Sequence, residues 1–154
     1  MPQMIHGTAI SIGGHAVLIM GESGSGKSDL ALRLIDRGAI LISDDVVFVE
    51  TRDNAPILTV APNIAGKIEV RGVGIFDVDF IASAPLRLIV GFVDAPDRLP
   101  EDIARASIGD YVVPVSRLNP FEHSSAIKVE YALRAVLDSG VLPECVSVNE
   151  SLSS

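Results

Sequence analysis

Gly21-Glu22-Ser23-Gly24-Ser25-Gly26-Lys27-Ser28 satisfies G-x-x-x-x-G-K-[ST] at every fixed position. Before it, Ala16-Val17-Leu18-Ile19-Met20 has the length and apolarity of a buried strand. After it, Ser28 to Arg37 puts Leu30 and Leu34, and Arg33 and Arg37, one helical turn apart, with Gly38 as a stop signal. A strand, a glycine loop and a helix form the arrangement in which backbone N–H groups wrap an anionic phosphate at a helix N-terminus. The whole octapeptide is therefore expected to be a surface loop that binds nucleotide. Lys27 would reach the β/γ-phosphates and the Ser28 hydroxyl would ligate Mg²⁺. The fold expected is α/β, a P-loop domain for a nucleoside triphosphate or a similar polyphosphate.

Composition narrows the partners. A chain of 154 residues is most simply one domain, residues 1–154, with room for a sizeable core. Apolar residues reach 48% without a single Trp, which suits an aliphatic core rather than a disordered chain. A formal charge of −8 with no basic stripe argues against a nucleic-acid partner. The lone Cys145 can form no intramolecular disulfide and has no catalytic motif around it, so a reducing compartment and an inert thiol are expected. Met1-Pro2-Gln3-Met4-Ile5-His6 does not read as a signal peptide, and no apolar run approaches membrane-spanning length. A cytoplasmic protein is expected.

Along the chain, Met4 to Ile12 reads as a strand turned by Gly13-Gly14 into His15–Met20. Ala39 to Ser43 is a short apolar strand ending at Asp44-Asp45, and Val46 to Arg52 is another. Asp53-Asn54-Ala55-Pro56 turns the chain into Ile57–Ala61, and Leu86 to Val93 is a further strand. A short helix is expected at Glu101–Ser107 and a last strand at Tyr111–Val115. Ala126 to Leu137 reads as the closing helix, apolar at Ile127, Tyr131 and Ala135 and stopped by Gly140. The tail from Glu144 is polar and expected to fray.

Two constellations carry chemistry beside the loop. Asp44-Asp45 closes an apolar strand where P-loop folds place a metal-holding acid. One of the pair can hold Mg²⁺ or its water while the other takes the proton of an attacking hydroxyl. Alone the pair would be a solvated turn; the strand and the loop give it a function. Glu69-Val70-Arg71-Gly72-Val73-Gly74-Ile75 puts a carboxylate and a guanidinium two residues apart, on one face if extended. Glutamate suits a metal and arginine suits a phosphate. His6, His15 and His123 carry no metal-site spacing.

Together, His6-Gly7, Gly21–Ser28, Asp44-Asp45 and Glu69–Ile75, in this order, resemble the catalytic half of the HPr kinase/phosphorylase family. Asp97-Arg98-Leu99 is similar to a further short motif of that family carrying a functional arginine. The resemblance covers about residues 4 to 115. It implies a P-loop domain of the HPr kinase / phosphoenolpyruvate carboxykinase type. It also implies phosphorylation of a serine on a small HPr-like phosphocarrier protein, with ATP or pyrophosphate as donor and Mg²⁺ as cofactor. The same site would reverse the transfer with inorganic phosphate. By resemblance, Lys27 binds the β/γ-phosphates, and Ser28 and Glu69 bind Mg²⁺. One of Asp44 and Asp45, with Asp45 favoured, serves as base forward and acid in reverse. His6, Arg71 and Arg98 stabilise phosphate charge or the carboxylate's protonation state. A homo-oligomer, hexameric in the family, is also implied.

Two departures from the family pattern matter. Longer members carry an additional N-terminal domain, and the resemblance here is to a short form lacking it. Where the family has a Pro-Gly-Arg-Asn-like segment tied to dephosphorylation, this chain has Ser116-Arg117-Leu118-Asn119-Pro120-Phe121-Glu122-His123. Kinase activity is thus better supported than phosphorylase activity. A small-molecule P-loop kinase is the rival, with Ala95–Arg105 as its only candidate lid. A nucleotide switch would want Asn-Lys-x-Asp, which does not occur.

Overall fold

Alternation with period two builds most of this molecule. In the computed structural model, which describes residues 2–98 and 102–146, strands β1 (Gln3–His6), β2 (Thr8–Ile12) and β3 (His15–Ile19) lead into the glycine loop and helix α1 (Lys27–Asp36). Strands β4 (Ile40–Ser43), β5 (Val46–Arg52), β6 (Ala55–Val60), β7 (Lys67–Val70), β8 (Gly74–Asp77) and β9 (Ser83–Phe92) follow. Strands β10 (Ala104–Ile108) and β11 (Tyr111–Leu118), helix α2 (Ser125–Ser139) and the short strand β12 (Glu144–Cys145) complete the described chain. The main sheet runs in the order β1-β5-β6-β9-β3-β2-β4, with β11 pairing β9, β10 and β12. Strand β9 lies parallel to both β3 and β11, while the other pairings along this path are antiparallel. The separate hairpin β7–β8 carries Glu69.

Successive residues of β3 enter two different cores. Ala16 and Leu18 join Ile5, Ile42, Val47, Val49, Leu58, Val113 and Val115, an all-strand cluster in which both ends of the strand order meet. Val17 and Ile19 join Leu30, Leu34, Val129, Leu133 and Val136, where α1 and α2 cover the sheet. The apolar run before the loop is thus buried on both faces, as an inner strand requires.

Several expectations are corrected. The stretch Met4–Ile12 is two strands, not one: β1 pairs with β5, and β2 with β3 and β4. The step falls at Gly7, where a Cβ would lie 3.0 Å from Leu18 Cδ1 and 3.1 Å from the Ile19 carbonyl oxygen. The helix expected at Glu101–Ser107 is strand β10 over Ala104–Ile108, paired along its length with β11; Glu101 lies outside the described residues. Burial of Ile108 against the strand core outweighs local helical preference there. Strand β11 runs on to Leu118, and the chain then returns through Glu144–Cys145 to pair with it. Cys145 is accordingly buried and the Val146 amide donates to the Asp110 carbonyl at 2.7 Å, so the fraying expected from Glu144 does not occur through Val146; residues 147–154 lie outside the described residues. Helix α2 starts one residue before and ends two residues after the expected Ala126–Leu137, and it has another phase. It buries Ala126, Val129, Leu133 and Val136, and leaves Ile127, Tyr131 and Ala135 toward solvent. The turns were legible: Asp53 and Asn54 both take positive φ, the two-residue hairpin geometry. Among the described residues no helix is long and apolar enough to cross a membrane.

Leu34 is wholly buried between α1 and the sheet. Leu34→Ala is expected to cost about 2–5 kcal/mol, read as a lowered midpoint in urea unfolding.

Candidate functional site

Helix α1 begins where the glycine loop ends. Gly26 caps it at φ 106°, in the left-handed region that glycine enters without strain. Among the described residues, the amides of Gly24, Gly26, Lys27, Ser28 and Asp29 donate to no backbone carbonyl. These are the unspent donors of a helix start, and the helix dipole adds partial positive charge at the same place. Lys27 is not the freely exposed side chain a surface loop suggests. It is only 7% exposed, and its Nζ donates to the carbonyls of Gly21 at 2.8 Å and Glu22 at 3.1 Å. The ammonium therefore braces its own loop.

Asp44 lies behind this helix start, also 7% exposed. Its Oδ1 accepts from Ser28 Oγ at 2.6 Å and from Thr8 Oγ1 at 2.9 Å, and its Oδ2 accepts from the Glu69 amide at 3.1 Å. Asp45, next in the chain, faces the other way. It is exposed, at φ 67°, a conformation aspartate tolerates better than most residues. Its amide donates to Thr8 Oγ1 at 3.2 Å and its carbonyl accepts from Gly7 N at 3.0 Å. The two adjacent acids are thus separated by environment: Asp44 is engaged by three donors, and Asp45 is presented to solvent.

One cavity of about 460 Å³ gathers the pieces. Lys27, Ser28, Asp45, Glu69 and Arg71 line it together with loop residues Ser23, Gly24 and Gly26. The Glu69–Ile75 stretch is not one extended face. Glu69 ends in β7 and Arg71 sits in the turn before β8, yet both reach the cavity, with Arg71 Nη1 3.4 Å from the Gly24 carbonyl oxygen. His6 and Arg98 do not line it. His6 is exposed at the end of β1, one residue before the Gly7 amide that holds Asp45, and Arg98 is exposed beyond β9. Ser28, Asp45 and Glu69 offer hard oxygen donors of the kind Mg²⁺ takes. Among the described residues no three His, Cys, Asp or Glu side chains converge on one point.

Sequence reasoning missed Thr8 and the far wall. Arg33, in the last turn of α1, donates through Nη2 to the Pro120 carbonyl at 2.6 Å and through Nη1 to Ser125 Oγ at 2.5 Å, and pairs with Asp29 at 3.1 Å. It fastens the Asn119–Ser125 connection to the helix, so that Pro120 and Phe121 close one side of the cavity. An Asn-Pro pair is a turn signal that could have marked the connection. Nothing in the sequence signalled that it would meet α1.

Comparisons with known proteins identify the family. Residues 1–84 match the family model described as HPr serine kinase C-terminal domain. The chain belongs to that family. It is 47% identical over 75 residues to an HPr kinase/phosphorylase of Lachnoclostridium phytofermentans, covering 48% of this chain and 24% of the relative. It is 40% identical over 128 residues to one from Enterococcus faecalis, covering 74% and 41%. The chain thus spans well under half the length of the curated relatives it matches. The solved Hpr(Ser) kinase/phosphatase from Coxiella burnetii superposes with a TM-score of 0.73 at 29% identity, over 86% of this chain and 95% of that one.

Thr8 joins the two acids by donating to one and accepting from the other. Thr8→Val is expected to leave the Asp45 amide without its acceptor and Asp44 one donor short, at a cost of about 1–3 kcal/mol in denaturant unfolding.

Proposed function

We propose that this chain is an ATP-dependent serine-protein kinase acting on a small HPr-like phosphocarrier protein. Beside the family membership, one observation carries the proposal: Asp45, an exposed carboxylate, shares a cavity with Lys27, Ser28, Glu69 and Arg71. Serine phosphorylation needs those groups and little more. A hydroxyl is a poor nucleophile at neutral pH, and in-line transfer depends on positioning and charge neutralisation.

In this mechanism the free amides at the start of α1, with Gly21–Ser28 and Lys27, hold the polyphosphate of the donor. Ser28 and Glu69 would hold Mg²⁺, which when bound neutralises charge on the phosphates. Asp44 orients the Ser28 hydroxyl through the 2.6 Å hydrogen bond. Asp45 accepts the proton of the substrate serine as its oxygen bonds to the γ-phosphorus, and ADP leaves with the electrons of the broken P–O bond. In reversal, inorganic phosphate attacks the phosphoserine phosphorus. Asp45 returns the proton to the departing serine oxygen, and pyrophosphate is released. Arg71 balances charge on the transferring group. His6 is assigned to phosphate charge or the carboxylate's protonation state by family resemblance alone. Arg98 is assigned to phosphate charge by family resemblance alone. The altered Arg117–His123 segment favours the forward direction. By the same resemblance the subunits associate as a homo-oligomer. With a single cysteine, which can form no disulfide within the chain, a cytoplasmic location is proposed.

Incubation with ATP, Mg²⁺ and an HPr-like phosphocarrier, followed by mass spectrometry, is expected to show one added phosphate on serine. Absence of that product would remove the substrate assignment. Asp45→Asn is expected to lower single-turnover rates by about 10²–10⁴ while Mg²⁺–ATP still binds. Asp44→Asn should instead weaken the Mg²⁺-dependent part of ATP binding in calorimetric titration. Exchange of the two phenotypes would exchange the two roles.

A further inference from the structure

We propose that Phe121, backed by Pro120, is the surface on which the base of a nucleoside triphosphate stacks, so that this ring separates a nucleotide donor from pyrophosphate. The inference rests on the cavity being the phosphoryl-donor site. Phe121 is 78% exposed, the most exposed large apolar side chain among the described residues, so it contributes nothing to the core. It nevertheless stands at a defined place. A Cβ on Gly26, the residue that opens α1, would lie 3.7 Å from Pro120 Cβ and 3.8 Å from Phe121 Cε1. The ring therefore borders the loop proposed to take the phosphates, on the same cavity.

The backbone beneath the ring is fixed from several directions. The Phe121 amide donates to Asn119 Oδ1 at 2.9 Å, and Asn119 Nδ2 donates to the Asp94 carbonyl at 3.2 Å. The Pro120 carbonyl accepts from Arg33 at 2.6 Å and from Ser125 Oγ at 3.2 Å. The Glu122 amide closes the turn onto the Asn119 carbonyl at 3.3 Å. An apolar ring held toward water by such a network gains nothing from folding. Against a planar base it gains a stacking partner while losing little conformational freedom, because the turn is already ordered and phenylalanine has two side-chain torsions. Phenylalanine offers a π-face and no hydrogen bond, so it favours a base over none without choosing among purines.

Pyrophosphate has no base, and that supplies the test. Calorimetric titrations of the full chain with Mg²⁺–ATP and with Mg²⁺–pyrophosphate are compared for the unaltered protein, Phe121→Ala and Phe121→Tyr. Phe121→Ala is expected to lose about ten-fold or more in ATP affinity and to keep its pyrophosphate affinity, with Phe121→Tyr restoring ATP binding. Unchanged ATP affinity in Phe121→Ala, or an equal loss for both donors, would overturn the proposal. If the unaltered protein binds neither donor, the donor-site reading itself fails and the stacking surface falls with it.

Discussion

A single buried carboxylate organises this molecule. Asp44 follows directly on β4 and receives donors from three other elements: Thr8 of β2, Ser28 of α1 and the Glu69 amide of β7. Taking a carboxylate out of water is costly unless hydrogen bonds replace its hydration, and those bonds fix the elements that supply them. The start of α1 adds partial positive charge from its dipole. Placing the acid here therefore sets where the glycine loop, the β7–β8 hairpin and the β4–β5 corner stand relative to one another. The cavity's lining comes from those three and the helix that follows the loop, apart from Pro120 and Phe121, which Arg33 holds to that helix.

Adjacent residues with opposite environments are the other consequence. The left-handed backbone at Asp45 turns its side chain away from that of Asp44, and Thr8 sustains the turn by bonding the Asp45 amide. One acid is engaged by three donors and the other is left exposed on the cavity. The same economy applies to Lys27, whose ammonium bonds two carbonyls of its loop and so holds the loop in shape. Arg33 works at longer range, fastening a turn from far along the chain to the helix that follows the glycine loop.

Much of the site was legible because its chemistry is local in sequence. Gly21–Ser28 needs a tight loop with positive φ at Gly24 and Gly26, and only glycine supplies it cheaply. Asp44-Asp45 and Glu69–Ile75 announced themselves by residue type, and Lys27, Ser28, Asp45, Glu69 and Arg71 do meet on one cavity. His6 and Arg98 were named by resemblance, and neither reaches that lining. The misreadings all concern partners. Strand β10 looked helical because its pairing with β11 is invisible in a local window, and the phase of α2 was misjudged because Ile127 and Tyr131 are apolar without being buried.

The sequence by itself determined the strand, loop and helix around Gly21–Ser28, the hairpin turns at Gly13-Gly14 and Asp53-Asn54, and the family. Each depends on backbone freedom or side-chain chemistry within a few residues. The tertiary structure alone decided that Thr8 would bridge the two acids, that Cys145 would be buried against β11, and that Pro120 and Phe121 would wall the cavity. Those outcomes rest on contacts between residues tens of positions apart, where the geometry of the sheet, and no local preference, sets which side chains meet.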